Sequence, residues 1–285
     1  MELVFTIRPA LISDRHHISS LIYFEPYVHR HLDWRMPLDW LGSYYYWVAE
    51  SNGRVVAALS CTPDPASIAW VRLFACSSDV PVEDAWRSLW ETARAELSNL
   101  PGALAAAIVL QDWFSALLTS SGFIHAQDII VLDTTPSAEA EEGKPLSAGF
   151  SIRPMLPSDL RAVAEVDWAA FVPLWQNSLP TLERALGVAG ISTVAETKDR
   201  VIAYQITTLH SSGGHLARLA VHPDRQRRKV GYALVRDMLA RAAAQDLTRV
   251  TVNTQSDNHA SLALYRQLGF HQSGEGYAVF TFPIS

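Results

Sequence analysis

Residues 215–242, HLARLAVHPDRQRRKVGYALVRDMLARA, and residues 250–270, VTVNTQSDNHASLALYRQLGF, decide the fold. In the first stretch Leu216, Leu219 and Val221 read as a strand that stops at His222-Pro223-Asp224. Apolar residues then resume at helical spacing through Val230, Leu234, Val235, Met238 and Leu239. A strand therefore feeds a helix through a basic turn that carries Arg225, Arg227, Arg228 and Lys229 ahead of Gly231. The first turn of a helix leaves backbone N–H groups unpaired and bears a partial positive charge, so cations gathered there favour a phosphate. On its own such a run of charge reads more readily as solvated surface. In the second stretch Leu247 to Val252 is β-rich, and Ala260 to Leu268 puts Leu262, Tyr265 and Leu268 on one helical face with Gly269 as the stop. Taken alone, Tyr265 reads as a core tyrosine as readily as a functional one.

Together the two stretches resemble the GNAT acetyltransferase superfamily. That family carries a loop of pattern R/Q-x-x-G-x-G/A, met here as Gln226-Arg227-Arg228-Lys229-Val230-Gly231. Its later helix has the pattern N-x-x-A-x-x-L-Y-x-x-x-G-F, met here from Asn258 through Ser261, Leu264 and Tyr265 to Gly269-Phe270. Ser261 stands at the usual alanine, and Lys229 replaces the first glycine of the loop. A Cβ at that position disfavours positive φ and limits how closely the backbone approaches a ligand, while the lysine charge offsets part of that loss. The resemblance implies acetyl-coenzyme A as co-substrate and an amine as acceptor. It implies that the backbone of Leu219, Ala220 and Val221 pairs with the pantetheine arm, and that Gln226, Arg227, Arg228, Lys229, Val230, Gly231 and Tyr232 hold the diphosphate. It further implies that Asn258 contacts the cofactor and that Tyr265 is the general acid that protonates the departing thiolate.

An attacking amine must be neutral, which calls for a base. The ribosomal-protein alanine acetyltransferases, which this segment resembles most, hold a glutamate on the strand before the asparagine. Here that strand reads Val250-Thr251-Val252-Asn253, and neither Asn253 nor Thr251 can act as a base. His210 and His215 flank the start of the preceding strand and titrate in the useful range, although each also reads as an ordinary loop or surface histidine. Glu196, at the end of an earlier strand, is a further candidate.

An internal repeat sets the domain count. Val48-Ala49-Glu50 recurs as Val194-Ala195-Glu196, and Arg54-Val55 with Ala57 recurs as Arg200-Val201 with Ala203, at an offset of 146 residues. Ile7-Arg8-Pro9 recurs as Ile152-Arg153-Pro154, and Gly122-Phe123 as Gly269-Phe270, each one residue off that register. The expected organisation is a degenerate GNAT-like domain at 1–134, a Pro-, Ser-, Ala- and Glu-rich linker at 135–148, and a catalytic GNAT domain at 149–285. In the first copy the loop positions fall on Val80, Pro81, Val82, Glu83, Asp84 and Ala85, and the tyrosine position on Leu118 or Thr119. A like-charge contact at about 6 Å costs roughly 3 kcal/mol at an effective dielectric near 20, so this copy is expected to bind no coenzyme A. It also holds seven of the nine tryptophans; of these Trp86 and Trp90, at i, i+4 on an amphipathic helix, read as core. In the second copy Phe171, Leu174 and Trp175 read either as an apolar acceptor wall or as helix packing on its own sheet.

Net charge is −6 and the pI about 5.9, which disfavours a general nucleic-acid binder. Cys61 and Cys76 are read as buried reduced thiols, no Cys/His cluster has metal spacing, and no apolar run suits a signal or membrane span, so the expected location is the cytoplasm. The fold class expected is α/β, specifically the α+β GNAT-like type: two tandem domains, each a twisted mixed sheet flanked by helices, with a layout similar to mycothiol synthase. The expected activity is direct N-acetyl transfer in a ternary complex to a small-molecule amine or a peptide or protein N-terminus. The alternative is a non-catalytic acyl-coenzyme A sensor or assembly module. A homodimer is compatible with either reading.

Overall fold

A computed structural model of the chain describes residues 5–136, 149–198, 200–211 and 213–284; from residue 137 onward the expected linker lies outside the described residues. The chain forms two compact units, one holding Met1–Gln127 with Tyr277–Ser285 and the other Asp128–Gly276.

In the first unit β1 (Thr6–Pro9), α1 (Arg15–Phe24), β2 (Tyr27–Arg30), β3 (Tyr46–Ser51), β4 (Arg54–Ser60), β5 (Ile68–Trp70) and β6 (Leu73–Cys76) lead to α2 (Val82–Leu97), β7 (Leu104–Val109) and α3 (Asp112–Ser120). One sheet has the order β1-β3-β4-β6-β2, and β5 pairs in parallel with β7. One core joins α2 and α3 to the sheets through Trp86, Leu89, Trp90, Phe74 and Phe114. A second core sets Ile18 and Leu21 of α1 against Tyr46, Val48 and Leu73. Trp86 and Trp90 are core residues, their rings stacked at 5.8 Å and 3°.

The second unit runs from the end of β8 (Ile124–Thr134) through β9 (Ser151–Pro154), α4 (Leu160–Ala170), α5 (Leu179–Val188), β10 (Ala189–Glu196), β11 (Val201–His210) and β12 (Gly213–Val221). It continues with α6 (Val230–Ala243), β13 (Val250–Gln255), α7 (His259–Gln267) and the start of β14 (His271–Pro283). Its strands are ordered β8-β13-β12-β11-β10-β9, with only β12 and β13 parallel among these pairs. The strand expected from Leu247 begins at Val250 instead, because Asp246 turns left-handed (φ 57°) and the Leu247 N–H closes the end of α6 on the Ala242 carbonyl at 3.1 Å. Both cysteines are buried and free.

The repeat is visible residue by residue. The parallel ladder Ile68↔Leu104, Ala69↔Ala105, Trp70↔Ala106 of the first unit recurs 146 residues later as Gly214↔Val250, His215↔Thr251, Leu216↔Val252. Each copy also carries the same charge clamp. Arg8 grips Asp14 at 2.7 Å and Glu50 at 2.6 Å, and Arg153 grips Asp159 at 2.7 Å and Glu196 at 2.8 Å. The aspartates in turn accept the Leu11 and Leu156 N–H groups at 2.8 Å, closing the turn into the first helix of each copy. The arginines hold both aspartates below the usual carboxylate range. A group whose folded pKa is depressed contributes stability above its unfolded pKa, about 4, and loses it as the pH falls through the folded value. An Asp14→Asn, Asp159→Asn variant is therefore expected to be less stable than the parent at pH 7 and to show a flatter fall in urea midpoint on acidification below pH 5. Parallel curves for the two proteins would contradict the clamp's role.

Candidate active site

The site is built where β12 parts from β13. Their ladder ends at Leu216↔Val252, and on the other side of β12 the register against β11 slips between Ile206 and Thr207, leaving Ala217 as the extra residue. Such a bulge bends a strand and increases its twist. Beyond it Leu219, Ala220 and Val221 pair with Gln205, Tyr204 and Ala203 on one side only. Their other edge offers backbone donors and acceptors to an extended ligand, as strand addition requires.

From Val221 the chain turns through Pro223–Arg225, where the Gln226 side-chain amide donates to the Val221 carbonyl at 3.1 Å. Arg227 (φ 58°) and Lys229 (φ 62°) both adopt the left-handed conformation, so the loop takes a glycine-like backbone without the glycine. Lys229 is the N-cap of α6 and makes no side-chain cap, which leaves the first-turn N–H groups, those of Val230, Gly231 and Tyr232, without side-chain acceptors. Val230 is buried, so only its backbone faces a ligand. Arg227, Arg228 and Lys229 are exposed. A groove of about 420 Å³ beside them is lined also by Phe150, Thr197, Ile202 and Arg225. Asp224 draws on His222 at 2.6 Å and on Arg200, trimming the positive charge at the start of the turn. An uncapped helix N-terminus among cations fits a diphosphate.

Asn258 is the N-cap of α7, and its side-chain oxygen accepts the Ser261 N–H at 3.1 Å. Its NH2 group is the part left to contact a cofactor. Tyr265 lies about two turns further on, 4% exposed, in a core with Leu132, Val252, Leu262 and Phe270. Burial raises its phenol above the ordinary value, so it keeps its proton at neutral pH.

His215 and Thr251 face each other across the ladder one rung before the parting, with Nδ1 and Oγ1 2.8 Å apart. Leu216 packs against Val235 and Met238 of α6 in the same core as Val250 and Val252, so by strand alternation His215 and Thr251 point to the opposite face. Burial, with His210 nearby, lowers the His215 pKa. Glu196 is corrected as a base candidate: it is held by Arg153, and Glu50 repeats the arrangement in the copy that lacks the loop and tyrosine.

On the same face as His215 lies a group the sequence reading missed. Asp167 of α4 is fully buried, receives Arg218 Nε at 2.7 Å and the Tyr204 hydroxyl, and accepts the Asn177 N–H at 2.8 Å. Arg218 also donates to the Trp175 carbonyl at 2.5 Å and lies 3.6 Å from the Phe171 ring centroid. Of the three residues read as a possible acceptor wall, Phe171 and Trp175 are thus tied to the strand that carries Leu219. The signal was present: in LRAVAEVDWAA a carboxylate at Asp167 sits on the apolar stripe of Leu160 and Val163.

The first unit uses the equivalent strand differently. Leu73–Cys76, the counterpart of 219–222, pairs on one edge with β4 and on the other with β2 through Tyr27↔Cys76, Val28↔Ala75, His29↔Phe74 and Arg30↔Leu73. The edge left open in β12 is occupied there by the chain itself. His29 fixes the plug: its Nε2–H donates to the Val71 carbonyl at 3.0 Å, its ring stacks on Phe114 at 4.1 Å, and burial pulls its pKa down to about 4. Pro81 is the N-cap of α2, and Glu83 and Asp84 fill its first turn, where carboxylates suit the helix dipole and repel phosphate.

Residues 160–270 match the acetyltransferase (GNAT) family. The match is to a family of acetyltransferases whose members use acetyl-coenzyme A. Over 116 residues the chain is 26% identical to the ribosomal protein bS18 alanine N-acetyltransferase of Salmonella typhimurium, covering 41% of this chain and 77% of that one. The fold of the whole chain is similar to a tandem GNAT protein from the clavulanic acid biosynthesis pathway (TM-score 0.61, 16% identity, 100% and 99% of the two chains). It is similar also to a GCN5-related N-acetyltransferase from Sphaerobacter thermophilus (TM-score 0.62, 15% identity, 98% and 96%). Among the described residues no group of three or more His, Cys, Asp or Glu is arranged to hold a metal, and no helix is long and apolar enough to cross a membrane.

The left-handed Lys229 stores backbone strain, about 1–2 kcal/mol for a side chain in that region. Lys229→Gly is expected to raise the denaturation midpoint, and Lys229→Ala, which keeps the Cβ, to leave it near the parent value. A Lys229→Gly protein less stable than Lys229→Ala would show that the loop does not hold this conformation.

Proposed function

We propose that the chain transfers an acetyl group from acetyl-coenzyme A directly to an amine in a ternary complex, with residues 149–285 carrying the site residues and residues 1–134 a degenerate copy. What carries this reading is the open edge that the interior strand β12 presents at Leu219–Val221, with an uncapped basic helix N-terminus following it and Tyr265 in the core that its strand joins. Leu219, Ala220 and Val221 receive the pantetheine arm, residues 226–232 receive the diphosphate, and the Asn258 NH2 group adds a donor. Tyr265 packs in the core on one face of β12 and β13, and His215 points to the other face one rung before the strands part. A thioester held in that gap therefore meets an acid from one face and an amine from the other.

His215 is the base this geometry favours. The Thr251 hydroxyl donates to the Gly214 carbonyl at 3.4 Å, so it accepts Nδ1–H and leaves the Nε2 lone pair for the amine proton. A lowered pKa keeps the ring neutral at pH 7. His215 accepts the proton as nitrogen attacks the acetyl carbon, and Tyr265 gives its own to the sulfur as the carbon–sulfur bond breaks. The acceptor classes are a small-molecule amine or the N-terminus of a peptide or protein, the latter in keeping with the bS18 alanine acetyltransferase relative.

Thiol release from acetyl-coenzyme A in the presence of amines and peptides tests the reaction. Tyr265→Phe is expected to lower kcat by ~100- to 10,000-fold with little change in KM for acetyl-coenzyme A. In the parent, kcat/KM should rise with pH through a group titrating below the ordinary histidine value of about 6.5, and His215→Asn should remove that rise. The raised Tyr265 pKa predicts no alkaline loss from this residue below pH 10. Saturable binding of acetyl-coenzyme A without thiol release to any acceptor would support the sensor reading instead.

A further inference from the structure

β8 of the first repeat and β14 of the second both follow a Gly-Phe pair and are counterparts, as β7 and β13 are. Each nevertheless completes the sheet of the other repeat. In the unit that contains Tyr265, β13 pairs with β8 over six rungs from Val250↔Thr134 to Gln255↔Ile129. In the other unit, β7 pairs with β14 from Ala278↔Val109 to Pro283↔Leu104. The repeats have exchanged their last strands.

We infer that the first repeat, although it lacks the loop and the tyrosine, is an indispensable part of the catalytic unit because β8 supplies the wall that positions Tyr265 and borders the open face of β13. Leu132, 1% exposed, belongs to the same core as Val250, Val252, Leu262, Tyr265 and Phe270. On the other face Val131 and Ile129 stand beside Asn253 and Gln255, on the side that carries His215 and Thr251. The strand is secured at one end by Asp133 and Arg249, 2.8 Å apart, and along its length by the Ser273 hydroxyl, which donates to the Val131 carbonyl at 3.2 Å. A slip of one residue would turn Leu132 out of the core and Val131 into it, so the buried face enforces this register. Leu132 touches no reacting atom; it is a positioning residue, and only its effect on turnover rests on the acetyl-transfer reading.

Hydrogen exchange on the full chain, read by mass spectrometry, separates this arrangement from two self-contained repeats. Leu132→Ala is expected to speed exchange at 250–267 by at least ~10-fold and to leave α2 and β7 unchanged. Phe280→Ala, in the strand that the second repeat lends to the first unit, is expected to do the reverse. With acetyl-coenzyme A and an accepted amine, Leu132→Ala should lower kcat with KM for acetyl-coenzyme A retained, and Leu132→Met should restore most of the rate. Faster exchange at α2 and β7 in Leu132→Ala would overturn the strand placement. Unaltered kcat together with faster exchange at 250–267 would overturn the positioning role. A chain that transfers acetyl to no acceptor refutes the proposed reaction, and the exchange pattern still decides where β8 belongs.

Discussion

The parting of β12 from β13 after Leu216↔Val252 is the constraint on which the site depends. A strand in the middle of a sheet has both edges satisfied and cannot take a ligand by its backbone. The extra residue at Ala217 and the loss of the parallel ladder leave Leu219–Val221, in an interior strand of the sheet, with one edge unpaired. Tyr265 packs in the core on one face of β12 and β13, and His215 points to the other face one rung before the strands part. Arg218 joins this strand to α4 and the segment after it through Asp167 and the Trp175 carbonyl. The counter-charge, the ring of Phe171 and the backbone acceptor together compensate for burying a guanidinium, which in isolation would be prohibitive.

Both copies keep the parting and put it to different use. In the first, β2 adds itself to the equivalent edge, and carboxylates replace the cations at the helix start. That copy thereby satisfies internally the groups that β12 leaves unpaired. Divergence has acted on the loop, on the tyrosine position and on the edge, while the clamp of arginine, aspartate and glutamate has stayed the same in both. The clamp holds the fold in each copy, and the open edge, the loop and the tyrosine distinguish one copy from the other.

Much of this was legible in the chain. The loop and the helix from Asn258 to Phe270 announced the fold through their resemblance to two motifs of one family, and the offset of 146 residues revealed the repeat. Trp86 and Trp90 could be placed in a core by periodicity alone. The exchange of β8 and β14 was not legible, since either strand carries a pattern that suits either sheet and pairing choice is a long-range property. Nor was the plug: Tyr27–Arg30 is four residues long and aromatic and basic in character, with no periodic signature to mark a strand. Lys229 was read as an obstacle to positive φ, and it adopts positive φ, because the strand before it and the helix after it over-determine the turn. His215 gained its significance only through Thr251, a neighbour 36 positions away.

The central claim is that this chain presents one cofactor edge and not two. Calorimetric titration of the full chain with acetyl-coenzyme A tests it most directly. One site per chain, weakened when Arg227 and Arg228 are both replaced by glutamate and unaffected when Glu83 and Asp84 are replaced by glutamine and asparagine, is the predicted result. Two sites per chain, or one that persists in the double-glutamate variant, would contradict the account.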